Sequence, residues 1–302
     1  MEFVKPTPDY ETFMQDVAKT AALIDTPCNM DMIRDIFGTY WPYCEAGWLS
    51  FRTTTKPNRE LSVRYIDCTT PHDPYEIAVE HGYLKPTGHP VEQLIYDLRD
   101  HFPPLGYGVD AAASYGIEKI WPLVQSAVKV EDLYTLPSMP SSMRNCDAYF
   151  KKYDLKWTSL YAIDYRNKSM NIYFMFPERG HFSPETTGEM ISDLGFTPPD
   201  MDELKVNSQV GALYYTFDWD TPTCTRISFA VPHQPASNFP MHWDAKIARL
   251  MREAPTMLHE IRGSAQTAYT AKGNYRKVEI DYTGMEFSMV AGIEALLKVL
   301  GS

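Results

Sequence analysis

Cysteine is scarce in this chain and badly placed for covalent or metal chemistry. Cys28, Cys44, Cys68, Cys146 and Cys224 are odd in number, widely scattered and without a C-x-x-C pair, which excludes a disulfide framework or zinc knuckle and predicts five reduced thiols. Long apolar runs are also missing. No window approaches the roughly 18 apolar residues of a membrane span, and the opening MEFVKPTPDY has neither the basic start nor the apolar run of a signal peptide. A cytoplasmic protein with no membrane contact is expected. Positive charge is in deficit: 28 basic against 39 acidic residues give a net charge of −11. The long-range field then has the wrong sign for nucleic acid or an anionic membrane surface, so any anion site must be local. Metal-ligand spacing is absent among His89, His181, His233, His242 and His259, which read as structural or exposed; His89, in Gly-His-Pro before a helix, serves its turn. Gly106-Tyr107-Gly108 is too short for a nucleotide fingerprint and reads as a strand irregularity. Asp31 and Asp35 stand at helical spacing but lack a companion motif and read as a solvated face, and Met139 reads as packing.

What is present is a folded composition, 302 residues with 44% hydrophobic and 22% charged content. Helical periodicity covers Asp9 to Asp25 and Asn29 to Phe37. Strands at Ala46 to Thr54 and Glu60 to Asp67 follow, joined by the turn Lys56-Pro57-Asn58-Arg59, and then helices at Asp73 to His81 and Pro90 to His101. The unit recurs. Strand pairs Leu105 to Ala112 with Ile117 to Val124, Trp157 to Ile163 with Ser169 to Phe176, Val210 to Phe217 with Cys224 to Val231, and Gly263 to Ala271 with Asn274 to Tyr282 are separated by helical patterns at Ser141 to Tyr153, Pro184 to Leu194, Asp200 to Leu204 and Asp244 to Glu260. Met285 to Leu300 closes as a helix. The first strands begin near residues 46, 105, 157, 210 and 263, with spacings of 59, 52, 53 and 53. That regularity predicts a structural repeat of five hairpins. Ten antiparallel strands interleaved with helices remove their edges by closing, so the expected fold is α+β: a ten-stranded antiparallel barrel with a large lumen, wrapped in helices, forming a single domain over residues 1–302.

Period-2 alternation then sorts the faces. Leu61/Val63/Tyr65, Met170/Ile172/Phe174, Leu213/Tyr215/Phe217 and Ile227/Phe229/Val231 suit contact with outer helices. The opposite face holds Trp48, Ser50, Arg52, Ser62, Arg64, Lys119, Trp121, Ser159, Tyr161, Asn171, Tyr173, Ala212, Tyr214, Arg226, Ser228, Tyr275, Lys277 and Glu279. Five cations, Arg52, Arg64, Lys119, Arg226 and Lys277, thus point into one enclosed space of an acidic protein. Unpaired buried charge is expensive, and Glu279 and Asp281 cannot balance five cations, so an anionic ligand such as a diphosphate is expected there. Asn171, Tyr173 and Tyr214 add neutral donors. The rings of Trp121, Tyr161, Tyr173, Tyr214 and Tyr275 could stack on an aromatic ligand or shield a carbocation. For each cation a structural salt bridge is the alternative reading, and a barrel that merely binds an anionic or aromatic metabolite is the alternative to an enzyme.

Asp73-Pro74-Tyr75, Gly88-His89-Pro90, Gly116 to Lys119, Pro137-Ser138-Met139-Pro140, Asp164-Tyr165, Asn171-Ile172-Tyr173-Phe174 and Arg226 together resemble the ABBA aromatic prenyltransferases, soluble "PT barrels" of repeated α-β-β-α units. The resemblance runs over nearly the whole chain. It implies that Lys119, Asn171, Tyr173, Tyr214, Arg226 and Lys277 hold an allylic diphosphate co-substrate. Magnesium-requiring members carry an aspartate where this chain has Ser62, and Arg64 lies two residues on, where it can replace the ion's charge. Arg52-Thr-Thr-Thr, Ser62-Val-Arg64 and Tyr275 to Gly284 are similar to the metal-independent branch, which acts on hydroxyphenylpyruvate, phenazine and dihydroxynaphthalene acceptors. The resemblance implies a monomer without metal or other cofactor. Its reaction would be Friedel–Crafts transfer of a prenyl group, dimethylallyl by analogy with that branch, to an aromatic carbon in secondary metabolism. Trp121, Ser159, Tyr161, Ala212 and Tyr275 would line the acceptor and prenyl pocket. Glu279 would accept the acceptor's proton or polarise its hydroxyl, unless it pairs with Lys277 or only orients the acceptor.

Overall fold

The computed structural model describes residues 6–176, 179–239 and 242–284. Ten strands form a closed antiparallel meander: β1 Trp48–Thr54, β2 Ser62–Asp67, β3 Pro104–Ala112, β4 Gly116–Lys129, β5 Trp157–Asp164, β6 Ser169–Met175, β7 Ala212–Asp218, β8 Arg226–Pro235, β9 Arg262–Thr270 and β10 Gly273–Asp281. Each pairs with its neighbours in sequence, and β10 pairs with β1 to close the ring. Closure leaves no unpaired edge, which is the physical gain that a sheet of this length needs. All five hairpin turns lie at one end of the barrel. The helical connections lie at the other end, because every hairpin returns the chain to the end it left.

The first four helices, α1 Tyr10–Leu23, α2 Met30–Ala46, α3 Pro74–Glu80 and α4 Pro90–His101, lie against the early strands. Their starts are set locally. The Asp9 carboxylate accepts from Thr12 N–H, and Asp73 accepts from Tyr75 and Glu76 N–H. His89 caps α4, its Nδ1 accepting from Val91 N–H at 3.1 Å while Pro90 takes the first helical position, so this histidine does serve its turn. Three short helices follow, α5 Val130–Leu133, α6 Ser141–Arg144 and α7 Asp147–Lys152, then α8 Pro184–Asp193, α9 Met201–Asn207 and α10 Ala245–Glu253. Several boundaries differ from expectation, among them two helix ends. The second helix runs on from Phe37 to Ala46, and α10 stops at Glu253 rather than Glu260 because Ala254, preceding Pro255, is extended with ψ 136°. The closing helix expected at Met285 to Leu300 lies outside the described residues. Among the described residues no helix is long and apolar enough to cross a membrane.

Two apolar clusters result. The larger fills the space between the barrel wall and the helices, with Val63, Tyr65, Ile172, Phe174, Leu213, Tyr215, Ile227 and Phe229 facing outward as alternation predicts. The smaller is inside the lumen and comprises Trp48, Ile66, Trp121, Leu123, Ala162, Tyr173 and Tyr214. One strand contradicts the expected parity. On β5, Leu160 stands opposite Tyr173 and Ala162 opposite Asn171, so the even-numbered residues face inward. Tyr161 is fully buried in the outer cluster, and Ser159 shares its face; neither reaches the lumen. The polar look of Ser159 and Tyr161 suggested the inner face, but the apolar demand of the helix layer claims Tyr161 and Ile163. Gly106 sits at a β3–β4 register shift, where a Cβ would stand 2.3 Å from the Asp67 carbonyl oxygen, consistent with a strand irregularity.

Candidate active site

The five expected cations all reach the lumen, but they do not arrive alone. Asp110 on β3 faces inward opposite Arg64 and Lys119. Its carboxylate accepts from Arg52 Nη2 at 2.5 Å and from Arg64 Nε at 2.6 Å. A bulge on β4, where the register slips between Asp110 and Ala111, lets Glu118 and Lys119 both turn toward the lumen. Lys119 pairs with Glu118 and, at 2.9 Å, with Asp164. Glu279 accepts from Arg64 Nη1 through both oxygens, at 2.7 and 3.0 Å, and from Ser50 Oγ at 2.7 Å. Its partner is therefore Arg64, not Lys277.

This corrects the charge argument. Five carboxylates, Asp110, Glu118, Asp164, Glu279 and Asp281, share the lumen with the five cations, all of them buried or nearly so. Burial alone would raise the Asp110 carboxyl, but Arg52 and Arg64 hold it well below the usual carboxylate range. Glu118 is likewise held down to about 2, against burial, by Lys119 and Arg52. Arg64 is balanced by Asp110 and Glu279, so its charge is already spent within the protein.

Arg226 and Lys277 are different: among the described residues neither has a carboxylate partner. Arg226 donates to Tyr275 Oη at 2.9 Å and to Asn171 Oδ1 at 3.1 Å, and its Nε is buried without an acceptor. Lys277 Nζ donates to Tyr214 Oη at 2.6 Å, and Tyr214 in turn donates to Gln266 Oε1 at 2.6 Å. Burial, reinforced by Arg226, Arg52, Lys119 and Lys56, pushes the Lys277 ammonium well below the ordinary lysine value. Asn171 extends the network through Thr216 Oγ1, which donates at 2.7 Å, and Tyr173 Oη, 3.3 Å from Nδ2. Of these groups Arg226, Lys277 and Tyr275, with Arg52, Lys119 and Ser62, line a polar cavity of about 360 Å³ that opens between the hairpin turns. It continues across Lys56, Asp164, Asn167, Arg226 and Tyr275 into a wider groove. An excess of unneutralised donors with a solvent path is the arrangement that binds an anion.

Behind the cations stands a row of rings. Tyr173 stacks on Tyr214 with centroids 4.7 Å apart, Trp121 lies 5.3 Å from Tyr173, and the Arg64 guanidinium covers Trp121 at 4.1 Å. Trp121 Nε1 is buried with no partner among the described residues. Ala212 lies on the same inner face, opposite Ala230. Tyr275 joins the polar cavity through Arg226 rather than the ring row. Asp281 accepts from Trp48 Nε1 at 3.1 Å and is 2.9 Å from His233 Nδ1.

Sequence reasoning thus missed Asp110, Glu118, Asp164, Gln266 and His233 as lumen groups. The alternation of Gly106, Gly108, Asp110 and Ala112 against Tyr107, Val109 and Ala111 could have found Asp110. Nothing local signals Glu118 or His233, since bulges turn both inward. Ser62 donates to Glu118 Oε2 at 3.1 Å, and that carboxylate is already engaged by Lys119. A neutral hydroxyl beside a neutralised carboxylate is a poor fit for a magnesium ion, which prefers carboxylates and substrate phosphates.

Comparison with known proteins agrees with this geometry. Residues 8–294 match the family described as "Aromatic prenyltransferase Orf2". The chain is 29% identical over 274 residues to 5,10-dihydrophenazine-1-carboxylate 9-dimethylallyltransferase of Streptomyces anulatus, covering 87% of this chain and 90% of that one. It is 27% identical over 246 residues to flaviolin linalyltransferase of Streptomyces virginiae, covering 79% and 81%. The crystal structure of 5-dimethylallyl tryptophan synthase from Streptomyces coelicolor in complex with DMASPP and Trp shares the fold, with a TM-score of 0.57 over 92% of this chain and 95% of that chain at 9% identity. A closed ten-stranded barrel with a polar, cation-lined cavity against a row of aromatic rings, and a family match across almost its full length, make this chain a member of the Orf2 aromatic prenyltransferase family and a prenyltransferase.

Proposed function

We propose that the enzyme transfers a dimethylallyl group from its diphosphate to a ring carbon of an electron-rich hydroxynaphthalene, phenazine or phenol, without magnesium. The observation that carries this reading is the segregation of charge: Arg226 and Lys277 are the lumen cations without carboxylate partners among the described residues, and both face the polar cavity. The diphosphate sits there, its oxygens taken by Lys119, Arg226 and Lys277 with Asn171, Tyr173 and Tyr214 as neutral donors. Arg52 borders the cavity. Arg64 does not, and its part is to fasten Glu279. The charge that a metal would bring to the leaving group comes from Arg226 and Lys277, and Ser62 supports the metal-free reading by offering no ligand charge.

As the bond from C1 to the bridging oxygen breaks, both electrons leave with the diphosphate, where fixed cations receive the growing charge. The allyl cation forms against the faces of Tyr173, Tyr214 and Trp121, which stabilise it and exclude water. The acceptor ring lies next to this row, near Ala212. Three of the roughly four lone-pair sites on Glu279 are occupied by Arg64 and Ser50. The remaining one takes a hydrogen bond from the acceptor's hydroxyl, orienting the ring and enriching the carbon that attacks. The dimethylallyl chain is favoured by likeness to the dihydrophenazine enzyme.

Incubation with dimethylallyl diphosphate, 2,7-dihydroxynaphthalene or 5,10-dihydrophenazine-1-carboxylate, and EDTA tests this. A C-prenylated product with equimolar diphosphate is expected. No product and no diphosphate release with either acceptor would overturn prenyl transfer to these classes. Product only after magnesium is added would overturn the metal-free mechanism.

A further inference from the structure

At the end of the lumen away from the hairpin turns lies a group of side chains that diphosphate binding does not use. Pro232 has no N–H for the sheet, and the β8–β9 register slips there, from Val231 opposite Ala265 to Gln234 opposite Gly263. Pro232 and His233 therefore share the single position facing Ser264. The proline ring packs on Gly211, where a Cβ would stand 2.5 Å from Pro232 Cγ. Only glycine at 211 admits that ring, and the bulge turns His233 inward. Its imidazole meets Trp48 edge to face at 5.4 Å, and Nδ1 is fixed by the Asp281 carboxylate at 2.9 Å. Asp281 itself is buried and held from the other side by Trp48 Nε1 at 3.1 Å. Among the described residues Nε2 of His233 has no hydrogen-bond partner.

We propose that His233, oriented by Asp281 and Trp48, is the base that removes the ring proton after prenyl transfer. This rests on the prenyl-transfer reading above and assigns it a step that Glu279 is poorly placed to perform, because both Glu279 oxygens are held by Arg64. The new carbon–carbon bond leaves the attacked carbon tetrahedral and the ring cationic. The proton on that carbon passes to Nε2, the electrons of the C–H bond restore aromaticity, and the imidazolium is balanced by Asp281. The proton then returns to water as product leaves. The charged groups facing the imidazole are Asp281, Glu279 and Arg64. Burial disfavours the imidazolium, but Asp281 outweighs it and lifts the histidine above its ordinary value, which suits a group that must hold a proton.

The test uses the full chain with dimethylallyl diphosphate and 2,7-dihydroxynaphthalene carrying deuterium on the ring. Wild type should show no primary isotope effect on turnover, since transfer precedes a fast deprotonation. His233→Gln should lower kcat by about 10²-fold and reveal a primary isotope effect, with affinity for inorganic diphosphate unchanged by calorimetry. Asp281→Asn should give a smaller loss and move the acid limb of kcat to lower pH, because the imidazolium loses its counter-ion. Turnover of His233→Gln near the wild-type rate without an isotope effect would overturn the proposal. So would an isotope effect that appears in Glu279→Gln instead, or a His233→Gln variant that also loses diphosphate binding. Absence of product from wild type would take down the prenyl-transfer reading itself.

Discussion

The two ends of the lumen contain the same kinds of side chain arranged to opposite effect. At the hairpin-turn end, Lys277 is buried and Arg226 half-buried, both without a counter-ion among the described residues, and a cavity leads from them to solvent. Toward the helical end, Arg64 is tied to Asp110 and Glu279, and His233 to Asp281, so the charge there is balanced within the protein. The total number of buried charges therefore does not locate a ligand; the imbalance does. A neutralised cluster is scaffold and positions chemistry. An unneutralised one attracts an anionic ligand, and its cost is recovered when substrate binds.

Charge deletions at the two ends should therefore diverge, and the largest effect belongs to the balanced end. Arg64→Met strands Asp110 and Glu279 and should lower stability by about 3–5 kcal/mol, measured by urea unfolding, with loss of turnover. Arg226→Met removes an uncompensated, half-buried cation, so stability should hold or rise, while binding of inorganic diphosphate should weaken by about 2–5 kcal/mol. Equal destabilisation by both variants would break the comparison.

A smaller effect separates the ends by pH. Lys277 is depressed by burial and by neighbouring cations, and a bound diphosphate would raise it again. The complex then holds more protons than the free protein, so diphosphate affinity should fall as pH rises between the two values. Calorimetry in buffers of different ionisation enthalpy should show net proton uptake, abolished in Lys277→Met. Uptake that persists in the variant would place the proton elsewhere. The smallest effect is expected at Tyr161→Phe. Its ring lies in the outer cluster and its hydroxyl is buried without a partner among the described residues, so stability should hold or rise slightly and turnover should stay at the wild-type level. A large activity loss would restore this tyrosine to the lumen.

The barrel itself was legible because five repeats of two alternating strands and helical segments leave few ways to bury their apolar faces. Alternation also placed Arg52, Arg64, Lys119, Asn171, Tyr173, Tyr214, Arg226, Lys277 and Glu279 on one face. It failed where the pairing is irregular or the pattern ambiguous. Glu118 and His233 turn inward at bulges, and β5 offers polar side chains to the apolar helix layer, so Ser159 and Tyr161 were assigned to the wrong side. Asp110 was overlooked although its alternation was readable, and with it the neutralisation of Arg52 and Arg64.

Period, turn chemistry and burial patterning are properties of neighbouring residues, and they determined the strand count, the closed barrel and most of the inward face. Which cation meets which carboxylate is decided by strands that are far apart in the chain. Arg64 meets Glu279 across 215 positions, and Trp48 meets Asp281 across 233. Such pairs arise only from ring closure and register, because a Coulomb interaction depends on separation in space rather than along the chain. Tertiary structure alone therefore decided which lumen charges are spent holding the protein together and which are left for substrate.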